Sequence, residues 1–119
     1  METYCLVRPE HLNHHGYLFG GQLLKWVDEF AWLAAAREYP GCNLVTRAMA
    51  DIQFSKRVSN GAILRFDITR SKQGHSSVSY VVAIFASNQL SKSEEMVFST
   101  HVTFVALDNN GLKVSLPER

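Results

Sequence analysis

The stretch HLNHHGYLFGGQLLKWVDEF, residues 11–30, decides how this chain is read. Its first half holds Asn13, Gly16 and the pair Gly20-Gly21, which punctuate regular structure. Its second half is strongly apolar, and the pattern runs on until Tyr39-Pro40-Gly41 stops it. The spacing predicts one long helix over residues 20–38. Placed at about 100° per residue, Gln22, Lys25, Glu29 and Arg37 share a narrow polar stripe, with Leu23, Val27, Phe30 and Ala34 opposite. Asp28 falls off that stripe, beside Leu24, Ala31 and Ala35, with Trp32 one turn on. Glu29 therefore reads as the ordinary solvated acid. Asp28 is a carboxylate on an apolar flank, a position that costs desolvation unless the group is paired or used. A structural Asp bonded to a neighbouring backbone group or Arg fits that position as well as a functional one.

The glycines raise the same choice. Free N–H groups at a helix start carry the positive end of the dipole and suit a developing oxyanion. Close packing or a sharp entry turn explains glycine there equally well. Asp28 lies about 12 Å along the axis from Gly20, at about 1.5 Å per residue. One helix cannot bring its own N-terminal amides and its own Asp28 to the same carbonyl. If both act together, one of them comes from a second subunit, and a two-fold dimer with reversed helices supplies that arrangement twice.

Around this stretch the chain reads as a single domain, residues 1–119, of class α+β. Residues 3–8 form a first strand and residues 9–19 a loop. After the helix the period changes to two. Ala48, Ala50, Ile52 and Phe54 alternate with polar residues, as do Ala62, Leu64, Phe66 and Ile68. Val78, Tyr80, Val82, Ile84 and Ala86 follow, then Met96, Phe98, Val102 and Phe104. Turns are expected at Ser59-Asn60-Gly61, Lys72-Gln73-Gly74-His75 and Ala86-Ser87-Asn88. The simplest architecture is one antiparallel sheet of hairpins with the helix on one face.

Composition excludes several function classes. Apolar residues make up 46%, enough for a core, and 12 Lys+Arg stand against 11 Asp+Glu with no basic block, so nucleic acid is not an expected partner. No apolar run spans a membrane and no signal peptide is visible, so a cytoplasmic protein is expected. Cys5 and Cys42 lack metal-ligand spacing and read as reduced core residues. His11, His14 and His15 have no carboxylate or cysteine at ligand spacing, so no metal is expected. His75 and His101 are isolated. No Gly-x-Ser-x-Gly or phosphate loop is present.

At Asn13-His14-His15-Gly16-Tyr17-Leu18-Phe19-Gly20-Gly21, with Asp28 seven residues after the second glycine, the sequence resembles the hotdog-fold acyl-coenzyme A thioesterases. Within them it is most similar to the bacterial short- and medium-chain acyl-CoA hydrolases, which are related to the vertebrate tandem-hotdog enzymes. Val45-Thr46 with Arg47, Asp51 and Phe54 resembles the family's second strand, and Lys72-Gln73-Gly74 its lysine-any-glycine turn. The likeness covers about residues 7–107. It departs at Arg57, where a Pro is usual before Val58, and at Ala62, where Asp is usual after Gly61. The chain also ends soon after the last strand, where extensions that add nucleotide contacts are frequent.

The resemblance implies a hotdog fold, an antiparallel sheet wrapped around one long central helix. It implies thioester hydrolysis with Asp28 as general base or nucleophile and Asn13 from the other subunit orienting water or thioester. Amides of Gly20 and Gly21 would hold the oxyanion. Arg57, Arg70, Lys72, Gly74, His75 and Ser76 are the candidate coenzyme A contacts, and the acyl chain would lie near Trp32 and Phe54. No cofactor is implied, coenzyme A being part of substrate and product. A homodimer at minimum is expected, within a hexamer (a trimer of dimers) or a tetramer. The alternative is a hotdog module that binds or senses acyl-CoA without cleaving it. A dehydratase is disfavoured, because the His and Pro-rich stretch of those domains is absent.

Overall fold

The computed structural model describes residues 1–118. Strand β1 (Glu2–Leu6) and a short 3-10 turn (Pro9–His11) precede helix α1 (Gly20–Glu38). Strands β2 (Leu44–Phe54), β3 (Ile63–Gln73), β4 (Ser77–Ser87) and β5 (Glu95–Ala106) follow. The helix occupies the expected residues. Tyr39 caps it, its N–H donating to the Ala35 carbonyl at 2.9 Å, and Gly41 turns the chain with φ 85°. No helix among the described residues is long and apolar enough to cross a membrane.

All five strands join one antiparallel sheet in the order β1-β3-β4-β5-β2. β3–β4 and β4–β5 are hairpin neighbours, as expected. β2 and β3 are not: β2 pairs with β5, and the link after it crosses to the far side of the sheet. Period-two patterning identifies strands but carries no pairing order, so the simple hairpin chain is corrected here.

The helix lies on one sheet face, forming with it the hotdog arrangement. Alternate residues of the three central strands meet it: Leu64, Phe66 and Ile68; Val78, Tyr80, Val82 and Ile84; Phe98, Val102 and Phe104. Leu23, Val27, Ala31, Ala34 and Ala35 complete the core from the helix. The three alanines let the second half of the helix approach the sheet closely, while Phe30 packs edge-on to Phe66 at 4.9 Å near its middle. Two phase readings are corrected. Met96 is exposed and Val97 buried, because the β4–β5 register slips after Ile84. Ala48 and Ala50 are exposed, because β2 contains two register shifts. The turn expected at 86–88 also falls later, β4 running to Ser87. Cys5 and Cys42 are free thiols, each half-buried.

At the C-terminal end of the helix a polar cluster, open to solvent at Arg70 and Glu38, borders the core. The Tyr80 hydroxyl donates to Glu38 Oε1, and Arg70 Nη1 donates to the Tyr39 hydroxyl at 3.2 Å. Burial, and then the bond to the Glu38 carboxylate, push the Tyr80 phenol well above its ordinary value of 10.0. The unfolded chain therefore releases this proton first as pH rises, so Tyr80 stabilises the fold fully below about pH 10 and less above it. Urea titrations at fixed protein concentration should show stability falling above about pH 10, and Tyr80→Phe should flatten that fall while costing about 1 kcal/mol at neutral pH.

Candidate active site

The sequence-predicted residues occupy two separate depressions of the single chain. The first, about 520 Å³, is lined by Asn13, His15, Tyr17, Leu18, Gly20, Leu23 and the segment Phe54–Val58. The second, about 580 Å³, is a groove lined by Lys25, Asp28, Glu29, Trp32, Leu33 and Thr46. They share no residue, as the rise along the helix requires.

In the groove, Glu29 is exposed and Asp28 half-buried. Asp28 Oδ1 accepts a 2.7 Å hydrogen bond from Thr46 Oγ1. Its partner is thus a neutral hydroxyl, and among the described residues it forms no ion pair. A structural aspartate held by an Arg or a backbone amide would look different. Thr46 is the residue that sequence reading left without a role, although it stands in the Val45-Thr46 pair of the resemblance. A period-two pattern gives no sign of it, because its orientation depends on the bulge next to it. The Trp32 indole donates to the Leu44 carbonyl at 3.1 Å and fixes one wall.

In the cleft, Asn13 Oδ1 accepts the N–H groups of His15 (2.9 Å) and Tyr17 (3.1 Å). This is a turn built by a side chain, which asparagine does well. Phe19 caps the helix without a side-chain bond, and the amides of Gly20 and Gly21 have no backbone acceptor among the described residues. They remain available as donors. The steric explanations for Gly20 do not hold. Its φ is not positive, and an added Cβ would stand 3.6 Å from the Phe54 ring, an ordinary contact. At Gly21 an added Cβ would come within 2.7 Å of the Phe19 ring, which is exposed and able to move.

The coenzyme A candidates divide. Arg57 lines the Asn13 cleft. Arg70 faces the helix, 3.9 Å from Glu38, and ties its end to the sheet. Lys72, Gly74, His75 and Ser76 form the β3–β4 hairpin end. The Gly74 amide is not open to a ligand: it donates to the Ser77 carbonyl at 2.8 Å. The His75 and Ser76 carbonyls accept from Leu116 and Ala106. Within one chain this hairpin lies at the Thr46 end of the sheet and Arg57 at the Phe54 end, about 20 Å apart along the paired strand β5, at about 3.3 Å per residue. His14 and His15 stack at 3.9 Å, and His101 pairs with Asp51 at 3.6 Å. Among the described residues no three His, Cys, Asp or Glu side chains group as metal ligands.

The profile of the thioesterase superfamily matches residues 15–92. The chain belongs to this family. It is 31% identical over 113 residues to an uncharacterized acyl-CoA thioester hydrolase of Bacillus subtilis, covering 93% of this chain and 64% of that protein. It is 37% identical over 101 residues to acyl-coenzyme A thioesterase 11 of Mus musculus, covering 85% of this chain but 17% of the mouse protein. The chain thus spans less than two thirds of these relatives' length. Among solved structures, an acyl-CoA hydrolase of Staphylococcus aureus in complex with butyryl-coenzyme A and coenzyme A superposes with TM-score 0.89 at 31% identity, covering 98% of this chain and 71% of that one. Structures of that hydrolase also exist with alanine replacing an aspartate, an asparagine or a threonine. A hexameric thioesterase of Yersinia pestis superposes with TM-score 0.87 at 25% identity over 98% of this chain and 93% of that one.

Since folding does not require glycine at position 20, Gly20→Ala should leave thermal stability unchanged or raise it by up to about 1 kcal/mol. A drop of several kcal/mol in a melting experiment would restore the packing explanation.

Proposed function

We propose that the protein hydrolyses acyl-CoA thioesters to a free fatty acid and coenzyme A, at a site shared by two subunits. The observation that carries this reading is Asp28: a half-buried carboxylate with no ion pair among the described residues, oriented by the Thr46 hydroxyl at 2.7 Å in a groove wide enough for a ligand. The names of the relatives agree with it. So do the residue types replaced in the S. aureus hydrolase, which are the types of Asp28, Asn13 and Thr46.

In the base form of the mechanism, Asp28 takes a proton from water as the oxygen attacks the thioester carbonyl carbon. Amides of Gly20 and Gly21 from the partner subunit hold the developing oxyanion, and the partner's Asn13 donates to the thioester or the water. The tetrahedral intermediate collapses with cleavage of the C–S bond, and the thiolate of coenzyme A leaves and takes up a proton. In the nucleophile form, Asp28 attacks directly and the resulting anhydride is hydrolysed. Neither form uses a cofactor or a metal.

A second copy has a place to dock. β2 is an edge strand with exposed Val45, Ile52 and Phe54, and Trp32 and Leu33 are exposed beside it on the helix. Antiparallel pairing of two such edges would set the Thr46 end of one chain against the Phe54 end of the other, and so join groove to cleft. Hexameric neighbours make a trimer of such dimers the assembly we expect, in the cytoplasm. Arg57 of one chain would then approach Lys72, His75 and Ser76 of the other around the coenzyme A phosphates.

Thiol release from a series of acyl-CoA esters tests the activity. Asp28→Ala should lower kcat by about 10²-fold or more while the fold persists. Mixing unfolded Asn13→Ala and Asp28→Ala chains and refolding them together should restore part of the activity, since a hybrid dimer holds one intact site. Binding of acyl-CoA without turnover by the wild type would favour the sensor reading instead.

A further inference from the structure

Three of the five histidines have a polar partner for the ring. His11 Nδ1 accepts the Arg8 N–H at 3.0 Å, His75 Nδ1 lies 3.4 Å from Ser115 Oγ, and His101 pairs with Asp51. His14 and His15 have each other, their rings stacked at 3.9 Å. Of these two, His15 alone lines the Asn13 cleft. Its imidazole forms no hydrogen bond or ion pair among the described residues.

The backbone behind this ring is fixed. Asn13 Oδ1 accepts the His15 N–H at 2.9 Å. The Gly16 N–H donates to the Asn13 carbonyl at 3.0 Å, and the Asn13 N–H to the Tyr17 carbonyl at 2.7 Å. The turn that orients the Asn13 amide therefore also places His15, and both border the cleft beside Gly20.

The proposed hydrolysis leaves one proton without a donor. Asp28 faces the water, and Asn13 with the glycine amides faces the carbonyl oxygen, but the departing thiolate has no group assigned to it. Its sulfur is bonded to the carbonyl carbon and so leaves along the cleft wall. The other titratable or charged side chains on that wall are Tyr17, Lys56 and Arg57. As residue types, a phenol, an ammonium and a guanidinium hold their protons well above neutrality, whereas imidazole exchanges one near it. Lys56 is also paired with Glu95 at 3.2 Å, and Arg57 lies over the Tyr17 ring.

We propose that His15 is a further catalytic residue, the general acid that protonates the leaving sulfur. This rests on the hydrolase reading and adds a third group to it. As the tetrahedral intermediate collapses, the C–S bond breaks and its electron pair goes to sulfur. The His15 imidazolium gives its proton to that sulfur, forming the thiol, and the neutral ring takes up a proton from solvent. Asp28 returns to solvent the proton it took from water. The net change is thioester and water to carboxylate, thiol and one proton. His15 acts from the same chain as Asn13, opposite Asp28 of the other chain.

The test varies the leaving group. Butyryl-CoA releases an alkyl thiolate that gains from protonation, and the butyryl thioester of 4-nitrothiophenol releases a thiolate that is stable without it. His15→Ala should lower kcat/KM for butyryl-CoA about 10-fold, below the usual range for general acids because a thiol is itself fairly acidic, and change it less than about twofold for the aryl ester. Wild-type kcat on butyryl-CoA should fall on the alkaline side as the imidazolium is lost, and His15→Ala should lack that limb. His14→Ala should leave both esters within about twofold of wild type. Both variants should melt with the wild type, the two side chains being exposed. An equal loss on both esters makes His15 a structural member of the turn and overturns the proposal. So does unchanged turnover of butyryl-CoA, or a leaving-group-dependent loss in His14→Ala that His15→Ala lacks. If the wild type cleaves the coenzyme A ester alone, the alkaline limb decides. If it cleaves neither ester, the hydrolase reading itself fails, whereas every other outcome leaves that reading standing.

Discussion

The bulge at Arg47 in β2 is the constraint on which the site depends. Opposed residues of an antiparallel pair point to the same face. Thr46 opposes Phe104 and Met49 opposes Val102, and both partners are buried beneath the helix. Residues three apart share a face only if one extra residue lies between them, and Arg47 is that residue. Without it, either Thr46 or Met49 would turn to the outer face, and Asp28 would lose the hydroxyl that orients it. A second irregularity, between Ala50 and Gln53, carries Asp51 at φ 55° and returns Phe54 to the helix side opposite Phe98. One strand thereby reaches Asp28 with one end and Gly20 with the other. Bulges are tolerated here because β2 is an edge, with one ladder to disturb instead of two.

The same bulges mark the limit of what the sequence reveals. The helix was legible to the residue, since its amphipathic period and its Tyr39-Pro40-Gly41 stop are local signals. Asp28 was legible as an outlier because its angle on that helix follows from its position alone. The inward faces of β3 and β4 were legible because Leu64 to Ile68 and Val78 to Ile84 alternate without interruption. β2 was not: its Ala48, Ala50, Ile52 pattern assumes an unbroken phase, but one inserted residue reverses it before Ala48 and a second restores it before Phe54. The role of Thr46 was hidden for the same reason. The crossover from β2 to β3 was hidden because pairing order is set by packing over the whole sheet, not by any one segment. Arg70 reads as a candidate coenzyme A contact in sequence, and nothing local announces its neighbours Tyr39 and Glu38 at the C-terminal end of the helix.

Asp28 could have been a structural acid or a functional one, and its surroundings now favour the second. A carboxylate kept for stability gains most from a charged partner or several N–H donors. Asp28 has a single neutral donor, while Lys25 in the same groove makes no ion pair with it. The arrangement orients the group with a neutral donor and no ion pair among the described residues. That is a poor use of a carboxylate for folding and a suitable one for accepting a proton.

Asn13 can be assigned by a similar count of lone pairs and protons. Its Oδ1 already accepts two backbone N–H groups, which fixes the oxygen end of the amide and uses both of its lone pairs. Only the Nδ2 donors remain for a ligand. Asn13 can therefore donate to a carbonyl oxygen or to the oxygen of a water, and it cannot accept a proton from either. A carboxylate, the group Asp28 brings, has the opposite capacity of accepting. A hydrolytic water needs an acceptor for its proton, and a thioester carbonyl needs donors for its oxygen. In the proposed mechanism the two side chains would supply one of each, the acceptor serving the water and the donor, together with the Gly20 and Gly21 amides, serving the carbonyl.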